Sequence, residues 1–501
     1  MIERNPSLTL PLSGGGTGTA SLAPPLIRGG WEGFLLFLFI LLLTAYRAWV
    51  LATNGLNLYV DEAQYWYWAQ ALDWGYYSKP PVIAALIAGT TSVCGDSEWC
   101  VRSGSLLLYP LSTWLLFLVA RKLFDARVAL LAAVLFFTLP AVSLSSILIS
   151  TDVALFFCWT LALYAFVFAL DSDSLDDWIL LGVALGLGML SKYTMGIFLV
   201  SALMYVFVAR RWDMLRNPKA WVAVLVMLLI FAPNLWWNWQ HDFPTFQHTA
   251  DIAAGTGGGT LHWDEFGEFI GGQFGVFGLV LFPLFLWVIV RGKVKHKTLL
   301  LSFALPFFLI IAMQALFGRA NANWAAPTYV TATLLVAGWW QGRWKTFAVA
   351  LAINVLLGLL VYHPAPLNHL LKTDVQKRLK GWGAIGQQYL AIQQQYPDAI
   401  LLSDGRDVLS ELVYYARPQG LRGVSWNPHN QLRHHYDLVT TLADKVGKDF
   451  LLVTPGAPPD GLPAHFANMQ QVGTLEADIH PSWRLHYNVF LLKAFRGLVS
   501  P

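Results

Sequence analysis

Long apolar runs recur through the first three quarters of this chain, separated by short polar loops. Runs at 33–53, 103–120, 128–147, 153–170, 178–191, 194–209, 220–237, 271–290, 298–317, 324–340 and 346–362 predict about eleven transmembrane helices, with ends placed to about 3 residues. A bilayer crossing takes about 20 apolar residues, so the shorter runs, 178–191 above all, need tilt or extra turns. From His363 the pattern changes. Ala399–Leu402, Phe450–Val453 and Asn488–Leu492 read as buried strands, and Lys380–Gln395 and Val408–Tyr415 as helices. That predicts a C-terminal α/β domain over 363–501, with no Gly-rich nucleotide fingerprint and no metal spacing. It reads as a lid or packing platform over the membrane part.

Composition agrees with the pattern. The 501 residues are 56% hydrophobic and 13% charged, against about 25% charged in soluble domains, with a mean hydropathy of +0.50. The class is a polytopic α-helical membrane protein. A net charge of +3 gives no reason to expect nucleic acid as a partner. Residues 1–32 are rich in Gly, Pro and Ser without a signal-peptide pattern, and read as a disordered cytoplasmic tail before a membrane unit at 33–362.

Orientation follows from the basic loops. Arg121, Lys122 and Arg127, then Arg210, Arg211, Arg216 and Lys219, then Arg291, Lys293, Lys295 and Lys297, and finally Arg343 and Lys345, all fall on one side. The positive-inside rule makes that side cytoplasmic. The loop 54–102 and the C-terminal domain then lie outside. Cys94 and Cys100 flank an outer loop, where a disulfide can persist, while Cys158 reads as a small core residue.

The outer face collects the candidate chemistry. Tyr59–Pro81 reads YVDEAQYWYWAQALDWGYYSKPP, with paired carboxylates at its start, Lys79 near its end and seven Tyr or Trp rings between. Rings at that depth serve as interfacial anchors, but an anchor needs no acids or lysine. Asp61 has two roles open to it: N-cap of the helix that follows, and acceptor of a proton from an incoming hydroxyl. Its neighbour Glu62 points elsewhere on a helix, so one of the two acids reaches the reacting atoms. Asp152, after Ser150 and Thr151, is a second boundary acid with the same two roles open. Lys79, Lys192 and Arg319 are outer cations suited to a phosphate, with snorkelling as the plain alternative. Asn321, Asn323 and Trp324 suit a sugar, amides meeting hydroxyls and a ring meeting its apolar face. His241, His248 and His262 with Asp242 and Asp264 match no compact zinc spacing. A divalent metal is possible there, but a solvated loop is the simpler reading and no cofactor is required.

Several of these stretches carry a resemblance. Tyr59-Val60-Asp61-Glu62-Ala63-Gln64-Tyr65 with Tyr77-Ser78-Lys79-Pro80-Pro81, then Ser150-Thr151-Asp152, Leu190-Ser191-Lys192-Tyr193, Pro233 to Asp242 and Arg319 to Trp324 resemble, in order, bacterial membrane glycosyltransferases of the GT-C fold. These are relatives of protein O-mannosyltransferases and of the lipid A aminoarabinose transferase. The resemblance implies a polyprenyl-phosphate-linked sugar donor and transfer on the periplasmic face of the bacterial inner membrane. It implies Asp61 as principal catalytic acid, Asp152 as the second outer-loop acid, and Lys79 with Lys192 at the donor phosphate. Glu62 joins the candidate catalytic set and Arg319 the candidate phosphate set by position and charge, with Tyr59, Gln64, Tyr77, His241, Asn321, Asn323 and Trp324 as candidate substrate contacts. Ser78 and Gln64 depart from the Glu and Arg of the aminoarabinose enzyme, which tells against its sugar specificity, a zinc site and a lipid A phosphate as acceptor.

The reading is a glycosyltransferase passing a sugar from a polyprenyl phosphate to an envelope acceptor: lipid A, another lipid or a glycan. The alternatives are a flippase or transporter of lipid-linked sugars and a periplasmic glycan polymerase. A transporter places its polar groups near the bilayer midplane, often at interrupted helices, and Pro140, Pro233, Pro283 and Pro306 fall within the expected spans.

Overall fold

The computed structural model describes residues 30–254, 261–417 and 422–498. Of the expected N-terminal tail, only Gly30–Glu32 fall among them, as the first turn of helix α1, and the rest lies outside the described residues. Among the described residues six helices are long and apolar enough to cross a membrane: α1 (Gly30–Thr53), α4 (Glu98–Leu123), α7 (Thr151–Ser172), α11 (Pro218–Gln240), α15 (Lys297–Phe317) and α17 (Trp344–Tyr362). Between α1 and α4 come the short helices α2 (Val60–Ala69) and α3 (Val82–Cys94). Shorter apolar helices fill the rest: α5 (Ala126–Thr138) and α6 (Pro140–Ser145), α8 (Leu175–Met189), α9 (Ile197–Ala209) and α16 (Thr328–Trp339). A short α10 (Asp213–Arg216) and an α12 (Pro244–Ala254) flank α11.

Two expected spans are broken. The run at 128–147 ends as α5 at Thr138, because Pro140 has no N–H to continue the ladder and holds Leu139 extended (φ −52°, ψ 140°). The run at 271–290 is two helices, α13 (Trp263–Val276) and α14 (Leu281–Arg291), bent by 104°. The break sits at Gly278, whose φ of +114° suits glycine and whose missing Cβ leaves room for Asn354 Oδ1, 2.8 Å from where it would stand. By contrast α11 and α15 run unbroken through Pro233 and Pro306, and Pro283 lies in the first turn of α14.

The bundle is apolar inside and outside. Phe117, Phe136, Trp159, Phe303 and Phe307 are fully buried, while Leu41, Leu42, Leu228, Leu229, Leu309 and Met313 lie open on outer faces. Aqueous surfaces rarely tolerate so much exposed hydrocarbon, and a lipid solvent makes it favourable. The chain is an integral membrane protein.

After α18 (Ala365–Leu371) and α19 (Trp382–Gln393) a five-stranded mixed sheet forms in the order β2-β1-β3-β5-β4. Its strands are β1 (Ile400–Ser403), β2 (Val424–Ser425), β3 (Phe450–Thr454), β4 (Phe466–His480) and β5 (Trp483–Phe495), with α20 (Arg406–Tyr415) following β1 and α21 (His435–Val439) following β2. β1 pairs in parallel with β2 and β3, and β5 runs antiparallel to β3 and β4.

This sheet unit sits on α2, which buries the aromatic stretch beneath it. Trp66 meets Tyr414 edge-on at 4.9 Å, Tyr67 stacks on Tyr436 at 4.8 Å, and Trp68 stacks on Tyr76 at 4.6 Å with His435 against both. For these rings the belt is an interface between two parts of the chain, and the plain alternative of a lipid anchor does not describe them. Cys94 and Cys100 are joined by a disulfide. Within that small loop Asp96 accepts from Trp66 Nε1 at 2.7 Å and offers its carbonyl to Tyr414 and Arg417, tying both parts together.

Candidate active site

Helix α2 begins where Tyr59, extended at φ −80° and ψ 151°, gives its N–H to Glu62 Oε2 at 2.8 Å. That reciprocal bond is the work of a capping-box acid, and Glu62 performs it in place of Asp61. Glu62 also accepts from Ile149 N at 2.8 Å and from Arg102 at 2.9 and 2.7 Å in a bidentate pair. Both partners of the pair are sealed, 2% and 1% exposed. Glu62 is therefore withdrawn from the expected catalytic set. Every lone pair that matters is spent on holding α2, α4 and the 146–149 turn together.

Asp61, next in the same first turn, faces the other way. Its Oδ1 lies 2.9 Å from Nη1 of Arg406, the first residue of α20. The same nitrogen donates to Gln64 Oε1 at 2.7 Å. Asp61 and Arg406 are each about two-fifths exposed, at 42% and 43%, so the pair borders open space.

That space is a cavity in two chambers, about 340 and 200 Å³, which share Asp61, Tyr65, Ser78 and Lys79. Lys79 is carried there by a tight turn in which Tyr76 N donates to the Lys79 carbonyl at 3.2 Å. Gly75 is required beside it, since a Cβ would stand 2.3 Å from the Trp237 ring. Helix α11 braces the turn through Trp237 Nε1 to Asp73 at 2.6 Å and Asn234 Nδ2 to the Trp74 carbonyl at 2.6 Å. Among the described residues nothing accepts a hydrogen bond or ion pair from the Lys79 ammonium. Burial, then the charge of Lys192, lowers its pKa to about 8, against the pull of Asp61 and Asp152.

The larger chamber gathers the second acid. Lys192 Nζ donates to Asp152 Oδ1 at 2.6 Å, and Asn323 Nδ2 to Asp152 Oδ2 at 3.0 Å. Val82 N bonded to the Leu190 carbonyl at 3.0 Å links the Lys79 turn to the Lys192 turn, which is why both lysines reach one cavity. Asp152 caps nothing. Ser150 holds the N-cap position of α7, and the Asp152 carboxylate instead organises Lys192 and Asn323. Asn321 and Trp324 line the same chamber.

The smaller chamber is walled by Gln64 and Tyr77 on one side and by Arg406, Arg433 and His434 of the C-terminal part on the other, with His248 of α12 between. Besides Glu62, three expected residues do not line either chamber. His241 stacks on Trp237 at 4.2 Å and bonds its carbonyl at 2.8 Å, a brace for α11, and His248 takes the place expected for it. Arg319 is exposed outside the cavity, and Tyr59 gives its backbone N–H to Glu62. Among the described residues no group of three or more His, Cys, Asp or Glu stands ready to hold a metal ion.

Arg406, Arg433 and His434 were not legible as site residues. They lie more than three hundred residues from Asp61, in a segment with no motif, and only the docking of α20 on α2 brings them in.

Comparison with known proteins bears on the family and the fold. Residues 78–237 match the family described as dolichyl-phosphate-mannose-protein mannosyltransferase. Lipid A galacturonosyltransferase RgtD of Rhizobium johnstonii is 32% identical over 442 residues, covering 84% of this chain and 90% of that protein. An undecaprenyl phosphate-alpha-4-amino-4-deoxy-L-arabinose arabinosyl transferase of Pseudomonas aeruginosa is 34% identical over 202 residues, 36% of each chain. The crystal structure of ArnT from Cupriavidus metallidurans in the apo state superposes with a TM-score of 0.66 at 16% identity, covering 95% of this chain and all of that one. The form bound to undecaprenyl phosphate gives the same score.

Proposed function

Because this chain belongs to the GT-C family of membrane glycosyltransferases that includes the Rhizobium enzyme, we propose that it moves a uronic acid sugar from a polyprenyl-phosphate carrier to lipid A, on the periplasmic face of the bacterial inner membrane. The observation that carries this reading is Lys79: a half-buried ammonium with no acceptor among the described residues, between Asp61 and the Asp152–Lys192–Asn323 set. Such a cation is ready for a phosphate that gains charge as it leaves.

In the reaction a hydroxyl of the acceptor attacks the anomeric carbon as the bond from that carbon to the phosphate oxygen breaks. Asp61 takes the hydroxyl proton. Lys79 and Lys192 hold the departing polyprenyl phosphate, and Asp152 keeps Lys192 and Asn323 in place. Asn321, Asn323 and Trp324 face the sugar, with Tyr77 and Gln64 at its other edge.

Eleven crossings fit this arrangement if the shorter helices and the bent α13–α14 pair each span. The basic loops then lie in the cytoplasm and the unit at 363–501 stands as an α/β domain outside, roofing the cavity. The site groups all come from helix ends and loops, and α11 and α15 are unbroken at their prolines, which supports an enzyme over a transporter with a midplane site.

The test is transfer from a radiolabelled polyprenyl-phosphate sugar to lipid A by purified protein in liposomes, comparing wild type with Asp61→Asn. Transfer by wild type and its loss in the folded variant supports the reading. Equal transfer by both removes Asp61 from the chemistry, and label crossing the bilayer without transfer makes the protein a flippase.

A further inference from the structure

The smaller chamber holds more donor capacity than the transfer reaction needs. Arg406 spends only Nη1 on protein, donating to Asp61 Oδ1 at 2.9 Å and Gln64 Oε1 at 2.7 Å. Its Nε and Nη2 meet no acceptor among the described residues. Gln64 is 2% exposed; its Oε1 accepts from Arg406, and its amide nitrogen meets no acceptor among the described residues. Arg433 on the far wall is already matched by Asp437, at 3.2 Å, and by the Trp426 carbonyl at 2.9 Å. Among the described residues Asp61 is the one acid lining this chamber, against Lys79, Arg406 and Arg433.

We propose that the smaller chamber is a carboxylate subsite, in which Arg406 and Gln64 read the acid group of a uronosyl donor and so set its preference over neutral sugars. This deepens the uronosyl-transfer reading and rests on it. A guanidinium with one edge free presents two parallel N–H groups, the fork that matches a planar carboxylate. A neutral hexose brings no charge to it, and leaves Arg406 paired with Asp61 alone. The chamber opens onto Lys79, so a donor phosphate there leaves its sugar between the two chambers. The C-terminal part is thereby a specificity element, because Arg406 is the first residue of α20 and reaches the site only while α20 lies on α2.

Detergent-solubilised full-length protein, wild type and Arg406→Met, is compared on uronosyl-phosphopolyprenol and hexosyl-phosphopolyprenol in two ways: thermal stabilisation by each lipid, and transfer of each sugar to lipid A. Wild type is expected to be stabilised more by the uronosyl lipid. In Arg406→Met the uronosyl-to-hexosyl ratio of kcat/KM should fall by about 30-fold or more, with the stabilisation difference lost. Arg406→Lys, which keeps the charge without the fork, should recover part of the ratio. An equal fall for both donors overturns the subsite and leaves Arg406 a support for Asp61. A ratio that changes only when the acceptor is stripped of its phosphates also overturns it, and assigns the chamber to an acceptor phosphate. If wild type discriminates the two lipids in binding but transfers neither, the subsite stands and the transfer reading falls.

Discussion

Asp61 of the membrane unit and Arg406 of the C-terminal sheet unit form an ion pair at 2.9 Å across the mouth of a shared cavity. The acid best placed to accept a proton is therefore held by a residue that only the docking of two distant parts supplies. Its neighbour Glu62 is locked 2.7 Å from Arg102, away from the cavity. The two carboxylates have different tasks because one helix face meets solvent and the other meets the bundle.

For Asp61→Asn, transfer should fall by about 100- to 10,000-fold, the usual worth of a positioned general base. Donor binding, followed by stabilisation with undecaprenyl phosphate, should change little. A comparable loss of binding would move Asp61 from the chemistry to the donor site.

Glu62→Gln should act on stability. It removes the charge opposite buried Arg102 and one of the four oxygens that guanidinium donates to, at a cost of about 3 kcal/mol, and Glu62→Gln with Arg102→Gln together should recover part of it. Unfolding midpoints in detergent measure both. A variant of normal stability and no activity would return Glu62 to the catalytic set.

Donor affinity should depend on pH through Lys79. With its pKa lowered to about 8 by burial, the ammonium binds phosphate while protonated. As pH rises past that value the free protein loses the proton, and affinity should drop by up to tenfold per pH unit. Lys79→Arg, charged throughout, should flatten the profile between pH 7 and 9. Titrating undecaprenyl phosphate binding across that range reads it directly.

Glu411 offers a stability test apart from the reaction. Its carboxyl is fully buried in α20 with no hydrogen-bond partner among the described residues, and burial, then the charge of Glu62, raises its pKa well above the usual 4.5. With its pKa raised in the fold, this carboxyl costs nothing below the unfolded value, and folding weakens as pH rises above it, until the folded carboxyl itself ionises. Glu411→Gln, neutral at every pH, should raise the unfolding midpoint, with a gain that is small at pH 5 and larger at pH 7. A constant difference across that range would show the carboxyl to be charged in the fold.

The membrane class, the helix positions and the ordered Asp61, Lys79, Asp152, Lys192 and Asn323 were legible in the chain, since apolar run length and residue type report directly on solvent and charge. The strands at 400–403, 450–454 and 483–495 were legible in part for the same reason. β4 was not, because a strand that alternates exposed and half-buried residues over Phe466–His480 has no continuous apolar run. The breaks at Leu139 and Gly278 were also missed, as an apolar run looks alike whether its helix is straight or bent.

What the chain alone determined is a membrane bundle with acids and lysines at one set of helix ends, for local composition sets where a segment is soluble. What only the tertiary structure decided is which of those groups meet. Asp61 turns to the cavity and Glu62 to Arg102; His248 enters and His241 braces; the α2 rings pack under a sheet unit in place of lipid; Arg406 arrives from the far end of the chain. Each depends on contacts between segments hundreds of residues apart or on which side of a helix a neighbour covers. Long-range packing sets those, and no local pattern records it.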